Sequence, residues 1–206
     1  MEIRKRIIKG AGKLFYTRGI KRVTMDDLAE AIGMSKRTIY ENFRDKTEIL
    51  RETVDFLSDE NSQNVEQMLK ESDNVMEVII KILRYGLESI DIVTPMYLED
   101  MQKFYPQVWE ETIQKGRKSA QMQLQDLLER GKKEGLFRAE INTRLVSRIF
   151  YEQLNLIHSN EAFPIEEFPR KELFENMFLN FARGISTLKG VKVLEELLSK
   201  MNDIQS

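Results

Sequence analysis

The sequence predicts an all-α protein, with a three-helix head followed by a larger helical bundle. Three observations carry that expectation. Apolar residues recur at three- and four-residue spacing through every long segment. No stretch shows the strict apolar–polar alternation of a half-buried strand. Gly, Pro and short polar residues stand where the periodic runs begin and end.

Size and composition narrow the chemistry. The 206 residues suffice for one large domain or two small ones with a sizeable core. Hydrophobic residues make up 41% and charged residues 32%, a globular balance. There are no cysteines, which excludes disulfides and thiolate metal sites and fits a reducing cytoplasm. A single histidine, His158, excludes a multi-histidine metal centre, and no nucleophile–base pairing, metal-ligand spacing or phosphate-binding loop stands out. Neither an enzyme nor a bound cofactor or metal is expected. No apolar run approaches the roughly 18 residues of a spanning helix, and no apolar stretch follows the basic N-terminus as in a secretory signal, so no membrane partner is expected.

The net charge of −2 is unevenly distributed. Residues 1–51 carry 13 Lys and Arg against 7 Asp and Glu, and the remainder carry 19 against 27. A basic head on an acidic body points to a polyanion at the head.

The elements follow in order. Residues 3–18 carry Ile3, Ile7, Ile8, Ala11, Leu14 and Phe15 on one stripe, ended by Gly19. Gly10 and Gly12 inside it weaken a helix by about 1 kcal/mol each, and close packing against another helix would explain them. Arg4, Lys5, Arg6 and Lys9 lie mostly off the stripe; contact with DNA backbone and plain solvation are equally open for them. Thr24, with Asp27 three residues on, begins a short helix as a capping box, with Leu28, Ala29 and Ile32 on one face. Gly33 supplies a sharp turn. Ser35 caps a second short helix, Lys36 to about Asn42, with Ile39 inward and Phe43 just beyond. Asp45 and Glu48 open a longer helix at Lys46.

Two short helices joined by a glycine turn are a helix-turn-helix, whose second helix enters the major groove. Lys36, Arg37, Thr38, Tyr40 and Asn42 crowd the outward side of that helix. Lys and Arg reach phosphates or guanine edges, Asn pairs with adenine, and hydroxyls donate to phosphates. Double-stranded DNA is therefore the expected partner. An ordinary solvated amphipathic helix is the plainer alternative.

Residues 24–50 resemble the DNA-binding signature of the tetracycline-repressor (TetR) family of bacterial transcriptional regulators. The resemblance lies in Gly33-Met34-Ser35-Lys36, Thr38-Ile39-Tyr40, Phe43 and Lys46, and covers about a quarter of the chain. It implies phosphate contacts for Thr24, Ser35, Thr38, Tyr40 and Lys46, and base contacts for Lys36, Arg37 and Asn42. Arg37 departs from the family, which often has a small residue there. The resemblance further implies a homodimer on a palindromic operator, a small-molecule effector bound in the body, and repression as the usual outcome. An effector would tilt the helix that begins at Lys46 and so change the spacing of the two heads.

The body is expected to be helical throughout. The Lys46 helix runs to about Lys70, and no linker rich in Gly, Pro or Ser follows the head. The DNA-binding part is assigned to residues 1–50, and effector binding and dimerisation to 51–206. Ser72-Asp73-Asn74 caps a helix from Val75 to about Ile90. Residues 91–110 are the least regular, with Pro95 and Pro106 at helix starts. Tyr85, Tyr97, Phe104, Tyr105 and Trp109 concentrate aromatic surface here. Core packing and the wall of a pocket for a small, largely apolar effector both account for them. A long helix follows from about Gln107 to Glu134, ended by Gly135. Asn142 caps another from Thr143 to Ser159, with His158 at its C-terminal end as a dipole-favoured or surface group. The last main helix spans about Arg170 to Leu188, and Gly190 separates a short tail helix. Leu154, Ile157, Phe174, Phe178, Phe181 and Ile185 on the last two main helices offer a dimer seam. An architectural DNA-binding or interaction module without an effector is the alternative function.

Overall fold

The computed structural model describes residues 2–90, 92–157 and 159–205, and only the backbone of 113–115 and 202–205. His158 lies outside the described residues. Ten helices run through the described residues: α1 (Glu2–Arg18), α2 (Met25–Ile32), α3 (Lys36–Asn42), α4 (Lys46–Lys70), α5 (Val75–Ser89), α6 (Pro95–Phe104), α7 (Pro106–Lys133), α8 (Thr143–Leu156), α9 (Arg170–Ile185) and α10 (Leu188–Gln205). No strand forms among these residues, and the fold is all-α as expected; Phe137 and Ser186 make one isolated bridge.

The caps lie where the residue types put them. Asn74 accepts from the Met76 and Glu77 N–H groups at 3.0 and 3.2 Å, and Asn142 accepts from the Leu145 N–H at 3.0 Å. Pro95 and Pro106 are first residues of α6 and α7. The stretch 91–110 is more regular than expected, because Thr94 caps a ten-residue helix within it.

Two differences lie near the C-terminus. The last main helix ends at Ile185 instead of running to Leu188. There the Arg138 N–H donates to the Ile185 carbonyl at 2.9 Å and the Thr187 N–H to the Leu136 carbonyl at 3.0 Å, which extends the backbone at Ser186. Gly190 does not separate helices. It lies inside α10, where a Cβ would stand 2.1 Å from the Leu136 oxygen, so only glycine lets the helix lie against that carbonyl.

The chain divides into two compact units. The first comprises residues 1–61 and 92–116, and the second residues 62–91 and 117–206; α4 and α7 have residues in both. In the first unit Ile7, Ala11, Phe15, Leu28, Ile39, Phe43 and Ile49 are buried together with Tyr97, Met101 and Val108. Residues 92–116, read from sequence as part of the body, thus pack with the first helices. The Thr94 hydroxyl donates to the Tyr16 carbonyl at 2.8 Å, and the Asp100 carboxylate accepts from the Lys21 N–H at 2.7 Å. In the second unit Met76, Ile79, Leu83, Leu128, Phe137, Phe150, Phe178, Ala182 and Leu194 form a separate core.

Candidate nucleic-acid interface

Local chemistry builds the helix-turn-helix. The Thr24 hydroxyl accepts from the Asp27 N–H at 3.1 Å, while the Asp27 carboxylate accepts from the Thr24 N–H at 2.7 Å. The Thr24 hydroxyl holds the Asp27 carboxyl below its ordinary range. Gly33 adopts φ 62°, its N–H and that of Met34 return to the Glu30 and Ala29 carbonyls, and α2 stops there. Ser35 then accepts from the Thr38 N–H at 3.0 Å and starts α3. Ile39 and Phe43, both fully buried, anchor α3 to α1.

With that side inward, Lys36, Arg37 and Tyr40 face solvent. Lys36 donates to Asp26 at 2.8 Å, and the pairing raises its pKa. Arg37 pairs with Glu41 one turn on at 2.9 Å, and its side chain is 87% exposed. An exposed pair of this kind contributes little, so the guanidinium is readily released to a stronger anion. Tyr40 is 49% exposed. The Thr38 and Ser35 hydroxyls lie 2.8 Å apart. Asn42 differs: it is half-buried and its amide donates to the Thr38 carbonyl at 2.8 Å.

Lys46 is also engaged. Its ammonium donates to the Ile20 and Val23 carbonyls, both at 2.9 Å, and burial pushes its pKa down. An ammonium has three N–H donors, so one is left for a phosphate. The head also depends on a residue whose role was not legible in sequence. The Arg4 guanidinium lies 4.2 Å over the Phe43 ring and donates to the Asn42 carbonyl, Glu48 and Glu52, tying α1 to the end of α3 and the start of α4. Its partners are about 40 residues or more away in sequence, and no local spacing signals such a contact.

A model of bacterial regulatory proteins of the tetR family matches residues 7–53, the same segment that builds this surface. The helix-turn-helix segment of this chain is similar to the DNA-binding domain of that family. The transcriptional regulator TtgR of Pseudomonas putida is 39% identical over 56 residues, which is 27% of this chain and 27% of TtgR. The chain therefore matches about a quarter of the length of that relative. The transcriptional repressor KstR2 of Mycolicibacterium smegmatis is 21% identical over 148 residues, covering 70% of this chain and 72% of KstR2. The solved structure of reduced NemR from E. coli superposes with a TM-score of 0.72 at 15% identity, covering 89% of this chain and 98% of that one, and shares its fold.

The other residues singled out in the sequence are dispersed. Tyr97, 6% exposed, packs edge-on against Tyr16 at 4.6 Å, and Tyr105 and Trp109 pack on the same core of the first unit. Phe104 is exposed beneath the Lys21 ammonium. Tyr85 belongs to the second unit, where it lines an open groove of about 360 Å³ with Met68, Glu71, Lys81, Arg84 and Glu88. Tyr97 is thus buried in the core of the first unit, with Tyr105 and Trp109 partly buried against it.

Ile157, which caps the end of α8, and Phe174, Phe178 and Ile185 on α9 are at most 9% exposed and belong to the chain's own core. They have almost no surface left to lose to a partner. Leu154 and Phe181 are partly buried. Exposed apolar surface remains on α8 at Leu156, 42% exposed, and at Leu145 and Ile149, 55% and 48% exposed, beside a groove of about 410 Å³ lined by Val146, Ile149, Gln153, Met177, Asn180, Phe181, Gly184 and Ile185. Of the residues expected at the seam, Phe181 and Ile185 line this groove, whereas Leu145 and Ile149 are not among those expected there.

Proposed function

We propose that the protein is a cytoplasmic, ligand-responsive transcriptional repressor that binds a palindromic operator as a homodimer. The observation that carries the reading is α3, which turns Ile39 inward and holds Lys36, Arg37 and Tyr40 outward within the TetR-matched segment. Lys36 and Arg37 read base edges with Asn42, which first gives up its bond to the Thr38 carbonyl. Thr24, Ser35, Thr38, Tyr40 and the free N–H of Lys46 hold phosphates. The name of KstR2 as a repressor favours repression here.

The homodimer uses α8 and α9, paired with their copies about a two-fold axis. The support is the apolar flank of Leu145, Ile149 and Phe181, which a four-helix bundle would cover. Residues 1–50 serve DNA and residues 51–206 serve the effector and the dimer. Of the five aromatic residues, Tyr85 is the one retained for the effector. Its groove pairs the ring and Met68 with Lys81, Arg84, Glu71 and Glu88, which suits a small, largely apolar molecule bearing a polar end. The response travels along α4, which runs from Lys46 in the first unit to Lys70 in the second.

Selection from a random pool of DNA duplexes tests the reading. The expected product is an inverted repeat whose half-sites lie about 34–36 Å apart along the helix axis, one turn. Recovery of no preferred sequence, or of a single non-repeated one, refutes it.

A further inference from the structure

The turn between α1 and α2 carries cations that the helix-turn-helix leaves unused. The Lys21 ammonium stands 4.2 Å from the centroid of the Phe104 ring, and that of Lys103 stands 5.5 Å from the same centroid. Phe104 is 41% exposed, and Arg22 beside Lys21 is exposed as well. Among the described residues neither lysine has an ion pair, whereas Arg4, Lys9, Lys36, Arg37, Arg44 and Arg51 of the same unit all do. The ring attracts each ammonium, but two like charges gathered on one ring repel until an anion meets them.

The position of this cluster is tightly determined. Asp100, one helical turn before Phe104 on α6, accepts from the Lys21 N–H at 2.7 Å. Gly19 has φ 78°, and a Cβ there would stand 2.8 Å from Cγ of Met96 and 2.9 Å from the Asp100 carboxylate, so turn and helix are in close approach. From the other side Lys46, at the start of α4, holds the Ile20 and Val23 carbonyls. Thr24 follows directly.

We propose that Lys21, Arg22 and Lys103, gathered about Phe104, form a second phosphate-contacting surface for the DNA backbone flanking each operator half-site. The inference rests on the DNA-binding reading above and extends it to a residue of α6. Phosphate diester backbone is favoured because the cluster adjoins Thr24 and Lys46, and because a convex ring under two ammonium groups senses charge without base edges.

Titration of two duplexes carrying the selected site, at several salt concentrations, decides the matter. One duplex ends at the outer edges of the half-sites, and the other extends one helical turn further on each side. Lys21→Gln and Lys103→Gln are expected to melt like wild type and to match it on the short duplex. On the extended duplex each should flatten the salt slope by about 0.9 for every phosphate that the variant no longer neutralises. A Lys103→Gln slope equal to wild type on the extended duplex overturns the proposal. So does weaker binding of the Gln variants to poly-glutamate with unchanged DNA binding, which would assign the surface to an acidic protein. Lys36→Ala should weaken both duplexes alike; if it weakens neither, the helix-turn-helix reading fails instead.

Discussion

The Cβ that any other residue would carry at position 10 falls 2.2 Å from Cγ2 of Ile32, so Gly10 on α1 and the last residue of α2 meet without space between them. Ile32 is 8% exposed and its carbonyl also accepts from Arg6, so it has little freedom to withdraw. Gly10→Ala gains about 1 kcal/mol of helix propensity. Overpacking costs about 1–3 kcal/mol, and with a contact this short against a β-branched side chain the upper end applies. A net loss of stability is expected, with weaker operator binding, because Ile32 leads into the Gly33 turn. Urea denaturation of the variant checks it, and a gain in stability would refute the argument.

Lys46 and Arg37 should separate by the same measurement. Lys46→Ala removes the donor to two carbonyls and is expected to lower stability without DNA by about 1–3 kcal/mol. With DNA it should also flatten the salt slope by about one unit on any sequence. Arg37→Ala loses only an exposed pair and should leave stability within about 0.5 kcal/mol. Its cost, about 1–3 kcal/mol, should appear as lost preference at one base pair. Equal losses on operator and scrambled DNA would show that Arg37 reads no base.

How much of this was legible in the sequence differs from residue to residue for physical reasons. Thr24, Gly33, Ser35, Asn74 and Asn142 act on backbone groups within a few residues of themselves, so residue type and spacing specify them. The ends of α9 and α10 were misread because the Leu136 carbonyl, some fifty residues away, bonds to Thr187 and crowds Gly190. Phe178 and Ile149 are both apolar at helical spacing, and periodicity alone does not tell a face turned to the chain's own core from one left exposed. Tyr97 and Trp109 illustrate the same limit: aromatic content located them, but only packing distinguishes a core from a cavity wall.

Tyr151 gives an alkaline limit to stability. Burial in the core of the second unit pushes its hydroxyl up to about 12 from an ordinary value of 10.0. The folded form therefore holds this proton where the unfolded form releases it. That contribution is fully present below pH 10, falls as the pH rises beyond it, and is lost by about pH 12. Tyr151→Phe, which has no proton to lose, should show a smaller fall in urea midpoint between pH 9 and 11.5. Parallel curves for the two proteins would argue that other groups dominate.

The two flanks of α8 and α9 make opposite predictions about charge. Phe178 is 3% exposed, with the Phe150 and Phe174 rings 5.7 and 5.6 Å away. A carboxylate there has no water and no partner, and the cost of several kcal/mol approaches the stability of a whole domain. Phe178→Glu should therefore unfold the second unit and not yield a folded monomer. Ile149 is 48% exposed in the single chain, so Ile149→Glu leaves the isolated fold almost unchanged. In a dimer the same glutamate faces its copy across the two-fold axis, where like charges repel in an apolar seam. Ile149→Glu is expected to keep its helical circular dichroism, sediment as a monomer, and bind operator far more weakly than wild type. Wild type at micromolar concentration should sediment at twice the 24.3 kDa chain mass. A single wild-type species at the chain mass removes the dimer, and a dimeric Ile149→Glu moves the interface to another face.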